Sequence, residues 1–404
     1  MTPFLTALLL SAGYNTAVVS IGAALLGASA ATVGTYVLLR KRALVSDAIS
    51  HATLPGLALA FMGAAWLTGE GRSTVALTAG AAASAWLGLL AVEWMTRRTR
   101  LTEDAAIGAV LSVFFGFGIV LMTVVQTLET GGQAGLASYL LGSTAGMLRT
   151  EAEVIAVSGA VATLMVLLLK KHFTLVCFDE GYAAALGVNI RTVDLVMMGL
   201  VLAVTVIGLR IVGLVLIVAL MIIPPVAARF WTERSDRMVL IAAGLGAASA
   251  YIGAALSSVG PRLPTGAVMV LVAFSLFVLS LLLSPVRGVL ALALKHRAFH
   301  VAVHRRQGLL EMTRGERIFD PATLRVLRRQ GLIGADGSST PEGREAAAAA
   351  MRDEERWELF RKLYPMETEV HGHQGLGPIE RVLPADMVAE LDGRLRAGAR
   401  EAER

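Results

Sequence analysis

Long apolar segments in the first 284 residues constrain what this chain can fold into more than any other feature. A helix crosses a membrane with about 20 mostly apolar residues, and within lipid only helices and closed barrels satisfy every backbone polar group. The 404 residues have a mean hydropathy of +0.66. We therefore predict an all-α polytopic membrane protein with about nine transmembrane helices. The predicted spans are residues 16–39, 46–68, 74–95, 104–127, 151–170, 192–209, 211–231, 238–259 and 264–284, and only residues 208–210 divide the sixth span from the seventh.

A change in composition near residue 285 divides the chain. Residues 285–404 carry 38 of the 67 charged residues, whereas the longer part before them carries 29. We predict a transmembrane domain over residues 1–285 and a small cytoplasmic α domain over residues 286–404. The net charge of +5 does not by itself predict a nucleic-acid partner. The single cysteine, Cys177, excludes an intramolecular disulfide and a cysteine-cluster metal site.

The distribution of basic residues predicts the orientation of the spans. Lys and Arg concentrate in every second connection, and such connections lie on the cytoplasmic side of a membrane protein. The N-terminus is then expected outside and the charged C-terminal segment in the cytoplasm. The basic connections are residues 40–42, 97–100, 170–191 and 229–237.

Two ionisable side chains, Asp47 and His51, lie four residues apart within the second predicted span. An ionisable group inside a bilayer costs roughly 2.5–3.5 kcal/mol on insertion scales, so it usually serves a function. Positions i and i+4 share one helix face, and a carboxylate oxygen beside an imidazole nitrogen suits a divalent transition metal. The alternative is an Asp–His hydrogen bond that only hides both groups from lipid. The pattern alone leaves both interpretations open.

Irregular backbone is predicted inside the membrane at two places. Pro224 and Pro225 fall within the span 211–231, where proline removes a donor and breaks or kinks a helix. Residues 136–147 are too short to cross the bilayer and contain glycines, so we expect them to re-enter it. Such backbone is tolerated only beside protein or a water-filled cavity. The pattern therefore favours a permease with a central pathway over a simple membrane anchor.

The polar connection at residues 170–191 contains a short Ala-rich stretch, residues 179–188, between two acidic residues and a glycine. We predict a short helix there. It is either a docking element for a partner protein or a plain amphipathic loop helix, and the residues alone do not decide between them.

Three ordered motifs resemble the membrane permease subunits of metal-ion ABC importers, the group that carries manganese, zinc or iron. They are residues 47–56 (DAISHATLPG), residues 212–224 (VGLVLIVALMIIP) and residues 264–266 (PTG). Residues 178–188 are similar to that family's coupling region for the ATPase. The resemblance covers about residues 13–285 and implies the ABC importer permease fold in a bacterial inner membrane.

The resemblance also implies partners and roles. A second permease subunit, either another copy or a homologous chain, completes the pathway, a cytoplasmic ABC ATPase docks on each, and an extracytoplasmic metal-binding protein delivers the metal. The metal is substrate, and no permanently bound cofactor is expected. The chain contains no Gly-x-x-x-x-Gly-Lys-Ser/Thr loop, so ATP hydrolysis belongs to the partner. The matching residues are Asp47 and His51 for metal coordination, and Asp179, Glu180, Ala183, Leu186 and Gly187 for ATPase coupling.

The C-terminal segment resembles the winged-helix part of iron-dependent repressors. Residues 320–333 predict a capped helix stopped by a glycine, residues 336–339 a turn, and residues 340–364 a long helix. A regulatory role is expected. The part before Asp320 is short for a complete helix-turn-helix and the segment is tethered to a membrane, so DNA is not an expected partner.

Two histidine groups lie in this segment. Three histidines at intervals of four residues, from His296 to His304, have apolar neighbours that favour helix packing over metal binding. His371 and His373 lie near Glu369, where a weak cytoplasmic metal site is predicted.

Two other functions are compatible with parts of the sequence. One is a stand-alone secondary metal transporter or channel driven by an ion gradient, against which neighbouring genes for an ATPase and a metal-binding lipoprotein would favour the ABC importer. The other is a membrane-tethered metal-responsive regulator, which leaves Asp47, His51 and the two prolines unexplained. The Irving–Williams order favours zinc at a carboxylate–imidazole site unless geometry opposes it. The resemblance of the C-terminal segment favours manganese or iron.

Overall fold

The structure is a computed structural model, and it describes residues 3–11, 13–68, 73–127, 147–259, 263–334, 336–366 and 377–402. Within these ranges the regular structure is helical, and one isolated β-bridge joins Ile333 and Ser339. The helices are α1 (Pro3–Leu8), α2 (Tyr14–Leu39), α3 (Ala43–Thr68), α4 (Thr74–Arg98), α5 (Glu103–Thr127), α6 (Arg149–Phe178), α7 (Glu180–Ala185), α8 (Ile190–Val212), α9 (Leu214–Trp231), α10 (Ser235–Ser257), α11 (Thr265–Leu283), α12 (Val289–Arg314), α13 (Pro321–Arg329), α14 (Pro341–Leu363) and α15 (Ala385–Ala402).

Nine of the helices in the described ranges are long and apolar enough to cross a membrane. They are α2 to α6 and α8 to α11, which confirms the predicted membrane fold. The division between α8 and α9 was wrongly placed at residues 208–210. Gly208 stays helical and lies against the side chain of Ile217, while Gly213 separates the two helices with a φ of +83°. Glycine adopts that left-handed conformation without strain, so it can end one helix and begin the next.

Glycines on α2 allow the closest approaches to its neighbours. A Cβ atom at Gly27 would lie 2.3 Å from the carbonyl oxygen of Gly246 on α10, and a Cβ atom at Gly34 would lie 1.9 Å from that of Met221 on α9. Lipid gives two helices little hydrophobic reason to associate, so packing at small residues has to hold them together. The Ala- and Gly-rich composition of the spans therefore serves helix–helix contact.

Of the break or kink predicted at Pro224 and Pro225, the break does not occur, since α9 continues through both residues and buries them. Each proline still removes the helical donor for the carbonyl four residues earlier, which for Pro225 is that of Met221. Gly34 of α2 packs directly against this carbonyl. Tight packing by a neighbouring helix is the setting in which a membrane helix tolerates proline.

The chain separates into two compact units, Met1–Ala291 and Leu292–Arg404. The division lies six residues beyond the one predicted from composition. In the second unit Asp320 caps α13 by accepting hydrogen bonds from two backbone N–H groups, and Thr340 caps α14 in the same way with one. The bridge between Ile333 and Ser339 closes the turn between these two helices.

We predict that Gly246→Ala destabilises the bundle, whereas Gly244→Ala on the same helix does not. A Cβ atom at position 246 would overlap the carbonyl of Gly27, while nothing lies within 4 Å of one at position 244. Overpacking costs typically about 1–3 kcal/mol, and alanine gains only about 1 kcal/mol over glycine in a helix. Thermal unfolding of the full-length protein in detergent measures the difference. Equal midpoints for the two variants would contradict the close contact between α2 and α10.

Candidate functional site

Asp47 and His51 lie on successive turns of α3, and their side chains meet. The Oδ1 atom of Asp47 is 3.5 Å from the Nε2 atom of His51, and the side chains are 35% and 22% exposed. That distance is too long for a strong hydrogen bond. The rings of His51 and Phe115 of α5 meet in a T-shaped contact, with the ring centroids 4.9 Å apart. The two ionisable groups thus share a half-buried position between α3 and α5.

The Nδ1 atom of His51 is buried and has no hydrogen-bond partner in the part of the chain that the structure describes. A buried polar atom without a partner costs roughly 1–3 kcal/mol, so its retention requires an explanation. The hydroxyls beside it are satisfied within α3, since Ser50 donates to the carbonyl of Ser46 at 2.8 Å and Thr53 donates to that of Ser50 at 2.6 Å. The neighbouring hydroxyls are therefore already hydrogen-bonded, whereas Asp47 and His51 can still bind a ligand.

The proline and glycine that follow determine how α3 packs beside the pair. A Cβ atom at Gly56 would lie 2.0 Å from the carbonyl oxygen of Gly80 on α4, and one at Gly118 on α5 would lie 3.2 Å from the nitrogen of Pro55. Pro55 has no N–H, so the carbonyl of His51 lacks its usual helical donor. This part of the first motif brings α4 and α5 against α3 and leaves a further acceptor at His51.

Two predicted elements lie outside the described residues. The weak metal site at Glu369, His371 and His373 falls within residues 367–376, and residues 136–146 of the predicted re-entrant segment fall within another such range. In the described ranges, no group of three or more His, Cys, Asp or Glu side chains is arranged to hold a metal ion. From its side chains, the Asp47–His51 pair offers two ligands.

The predicted short helix is present as α7. Asp179 caps it by accepting a hydrogen bond from the backbone N–H of Tyr182 at 2.8 Å. Gly187 follows with a φ of +78°, and its N–H donates to the carbonyl of Ala184 at 3.0 Å. Asn189 then caps α8. Asp179 and Gly187 thus lie at the two ends of α7, and Asn189 begins the next helix.

One side of the α7 segment presents apolar surface. Phe178, Tyr182 and Leu186 are 65%, 56% and 57% exposed, whereas Ala183 is fully buried. Ala183 thus anchors the segment to the membrane unit. Three large apolar side chains at intervals of four residues remain available to a partner.

A buried arginine ties α7 to the membrane helices. Arg40, at the end of α2, donates two parallel hydrogen bonds of 3.0 Å to Asp194 on α8 and one of 3.1 Å to the carbonyl of Val176 on α6. It also pairs with Glu180 of α7. Burial would lower the pKa of Arg40, but the hydrogen bonds to Asp194 and Glu180 outweigh it and raise the pKa. One guanidinium therefore joins α2, α6, α7 and α8.

A second arginine extends these ion pairs to α3 and α5. Arg42, just before α3, lies 2.7 Å from Glu103 of α5 and 3.4 Å from Asp194. Sequence reasoning treated residues 40–42 only as a marker of orientation and did not single out Asp194. The signal was present, since Asp194 is an acidic residue inside the predicted span 192–209.

The profile of the ABC 3 transport family matches residues 14–284. The chain belongs to this family. It is 39% identical over 296 residues to the manganese transport system membrane protein MntC of Bacillus subtilis, with 73% of this chain and 67% of that protein covered. It is 37% identical over 272 residues to the zinc transport system membrane protein TroC of Treponema pallidum, with 67% and 90% covered. The solved structure of PsaBC from Streptococcus pneumoniae in complex with Fab matches with a TM-score of 0.61 and 27% identity, over 72% of this chain and 98% of that one.

Membership in the family decides between the functions that the sequence left open. The matched region contains the nine spans and α7, so the protein is a multi-pass permease subunit of an ABC importer rather than a stand-alone transporter or a tethered regulator. ATP hydrolysis belongs to a separate ATPase subunit, and a binding protein is the other expected partner. The second unit lies beyond the matched residues.

We predict that Arg40→Ala strongly destabilises the membrane unit. The substitution leaves the carboxylate of Asp194, which is only 12% exposed, with the guanidinium of Arg42 as its remaining partner. Removing one member of a buried ion pair costs about 3–5 kcal/mol. The control is Arg149→Ala, which removes the exposed pair with Glu153, and exposed pairs contribute little. Thermal unfolding in detergent compares them, and a midpoint for Arg40→Ala as high as the control's would show that the buried pair is dispensable.

Proposed function

We propose that this permease subunit carries a divalent transition metal across the bacterial inner membrane and takes manganese or iron ahead of zinc. The observation that carries the proposal is the Asp47–His51 pair, half-buried in a membrane helix with the Nδ1 atom of His51 unpaired. A hydrogen bond that only hid the two groups would be short, whereas the Nε2 atom of His51 lies 3.5 Å from the carboxylate of Asp47. A pair that accepts a passing cation has to keep the capacity to bind a ligand.

The number of ligands supports a pathway shared by two permease subunits. Transition metals in proteins take four to six ligands, whereas this pair supplies two side chains. A second copy or a homologous chain would supply a second pair. A mixed oxygen and nitrogen set is softer than the all-oxygen sites of magnesium and calcium, and it suits manganese, iron and zinc. The family relative with 39% identity is named for manganese transport.

The α7 segment is the proposed contact with the cytoplasmic ATPase. Its apolar side chains Phe178, Tyr182 and Leu186 are exposed beside Glu180, as expected for a small docking surface with a charged rim. Because the basic connections lie at this end of the helices, it faces the cytoplasm in the proposed topology. The metal then arrives on the opposite side from an extracytoplasmic binding protein, and residues 286–404 form the proposed cytoplasmic regulatory domain.

Asp47→Ala and His51→Ala should each reduce metal uptake to background without loss of assembly. Each removes one of two ligands from the proposed pathway, and neither side chain has a strong hydrogen bond in the structure whose loss would unfold the protein. Uptake of manganese, iron and zinc is measured in proteoliposomes with the ATPase and the binding protein, and assembly is measured by size exclusion.

Two exposed residues of the same types provide matched controls, Asp104→Ala on α5 and His172→Ala on α6. Both should keep normal uptake. Near-normal uptake by Asp47→Ala and His51→Ala together would rule out the site. Uptake of zinc alone by the unmodified complex would leave the site in place but overturn the preference for manganese or iron.

Leu186→Glu should release the ATPase, while Leu186→Met should retain it. A carboxylate within an apolar contact has to be desolvated on binding, whereas Met keeps the apolar surface at similar volume. Gly187 is unsuited to this test, because its φ of +78° would strain any other residue. Pull-down of the ATPase by the full-length permease gives the measurement. Equal recovery of the ATPase with both variants would remove α7 from the interface.

A further inference from the structure

The three histidines of α12 occupy two different environments. His296 and His300 are exposed, and their Nε2 atoms are 2.9 Å apart, with the ring centroids at 4.3 Å and the ring planes at 86°. Phe299 beside them is 52% exposed, whereas Val303 is half-buried, so this helix is only partly packed, as the sequence predicts. His304, one turn later, is half-buried.

His304 has a structural role. Its Nδ1 atom is 3.0 Å from the hydroxyl of Thr323 and 3.0 Å from a carboxylate oxygen of Asp320. Asp320 is the residue that caps α13, and the hydroxyl of Thr323 together with two backbone N–H groups lowers its pKa to about 2. His304 therefore links α12 to the start of α13. In the described part of the chain, the recorded contacts of His296 and His300 are with each other and, for His300, with the rings of Phe299 and His304.

The convergence of His296 and His300 matches the geometry of a metal ligand pair. Two histidines at i and i+4 on one helix are the spacing by which helical metal sites bind zinc. Two nitrogens at about 2.0–2.1 Å from one tetrahedral zinc ion lie about 3.3 Å apart. The observed separation of 2.9 Å reaches that value when the exposed rings move apart by a few tenths of an ångström.

We propose that His296 and His300 bind one divalent transition metal ion of the zinc class on α12. Imidazole nitrogens suit zinc, nickel and copper, whereas manganese prefers oxygen ligands and stands lowest in the Irving–Williams order. Water fills the remaining positions, because both side chains face solvent. The site shares no residue with the proposed pathway at Asp47 and His51, and zinc binding to it can be tested without measuring transport.

The test is zinc binding to the full-length protein in detergent, with every polyhistidine tag removed. Asp47→Ala and His51→Ala are present in all samples, so the proposed pathway does not contribute. The experiment compares this parent with His296→Asn plus His300→Asn, using zinc and a competing chromophoric chelator. We expect the double variant to lose one zinc ion per chain. Each single variant should bind that ion at least about tenfold more weakly, since even loss of an outer partner of a metal ligand costs that much.

Three comparisons make the result decisive. His304→Asn should bind zinc as the parent does, and a loss equal to that of the double variant would overturn the assignment to this pair. Manganese in place of zinc should bind the parent and the double variant alike. Because His296 and His300 are exposed, the double variant should also keep the parent's thermal midpoint. Unchanged zinc stoichiometry and affinity in the folded double variant would show that the two rings form only a hydrogen bond.

Discussion

The membrane unit depends on close contact between helix backbones, since in lipid no hydrophobic driving force brings apolar helices together. The helix α2 meets this constraint at glycines that face two different neighbours, Gly27 against α10 and Gly34 against α9. The contact at Gly34 lies on the carbonyl of Met221, which has no helical donor because Pro225 lacks an N–H. The close packing of α2 therefore covers the position where the hydrogen bonding of α9 is incomplete. The helix α3 uses Gly56 in the same manner against α4, directly after the Asp47–His51 pair.

The ion pairs at the end of α2 connect this bundle to the α7 segment. Arg40 holds Asp194 of α8 and Glu180 of α7 with one guanidinium, whose planar set of donors suits several partners at once. The chain then turns at Lys41, which has a φ of +62°, and enters α3 four residues before Asp47. A displacement of α7 must therefore either carry the turn before α3 with it or break the ion pair between Arg40 and the exposed side chain of Glu180. Arg40 and Arg42 thus connect α7 and the start of α3 through the shared partner Asp194.

The sequence predicted the number and type of the spans, because length and hydropathy are local properties that the bilayer selects directly. It also predicted α7 and its caps, since Asp179 and Gly187 act within a few residues. The errors concern tertiary context. Gly213 rather than Gly208 divides α8 from α9, and α9 continues through Pro224, because packing against neighbours decides which of several potential breaks is used. The Arg40–Asp194 pair joins residues 154 positions apart, and no local pattern reports such a contact.

The candidate site and the proposed site on α12 differ in chemistry as well as in place. Asp47 and His51 combine an oxygen with a nitrogen, a set that accepts manganese, iron and zinc, while His296 and His300 offer nitrogen alone. A site of two imidazoles binds manganese poorly, so it distinguishes ions of the zinc class from manganese. His304 ties α12 to the cap of α13, so the turn that follows His296 and His300 is fixed to the fold of the second unit.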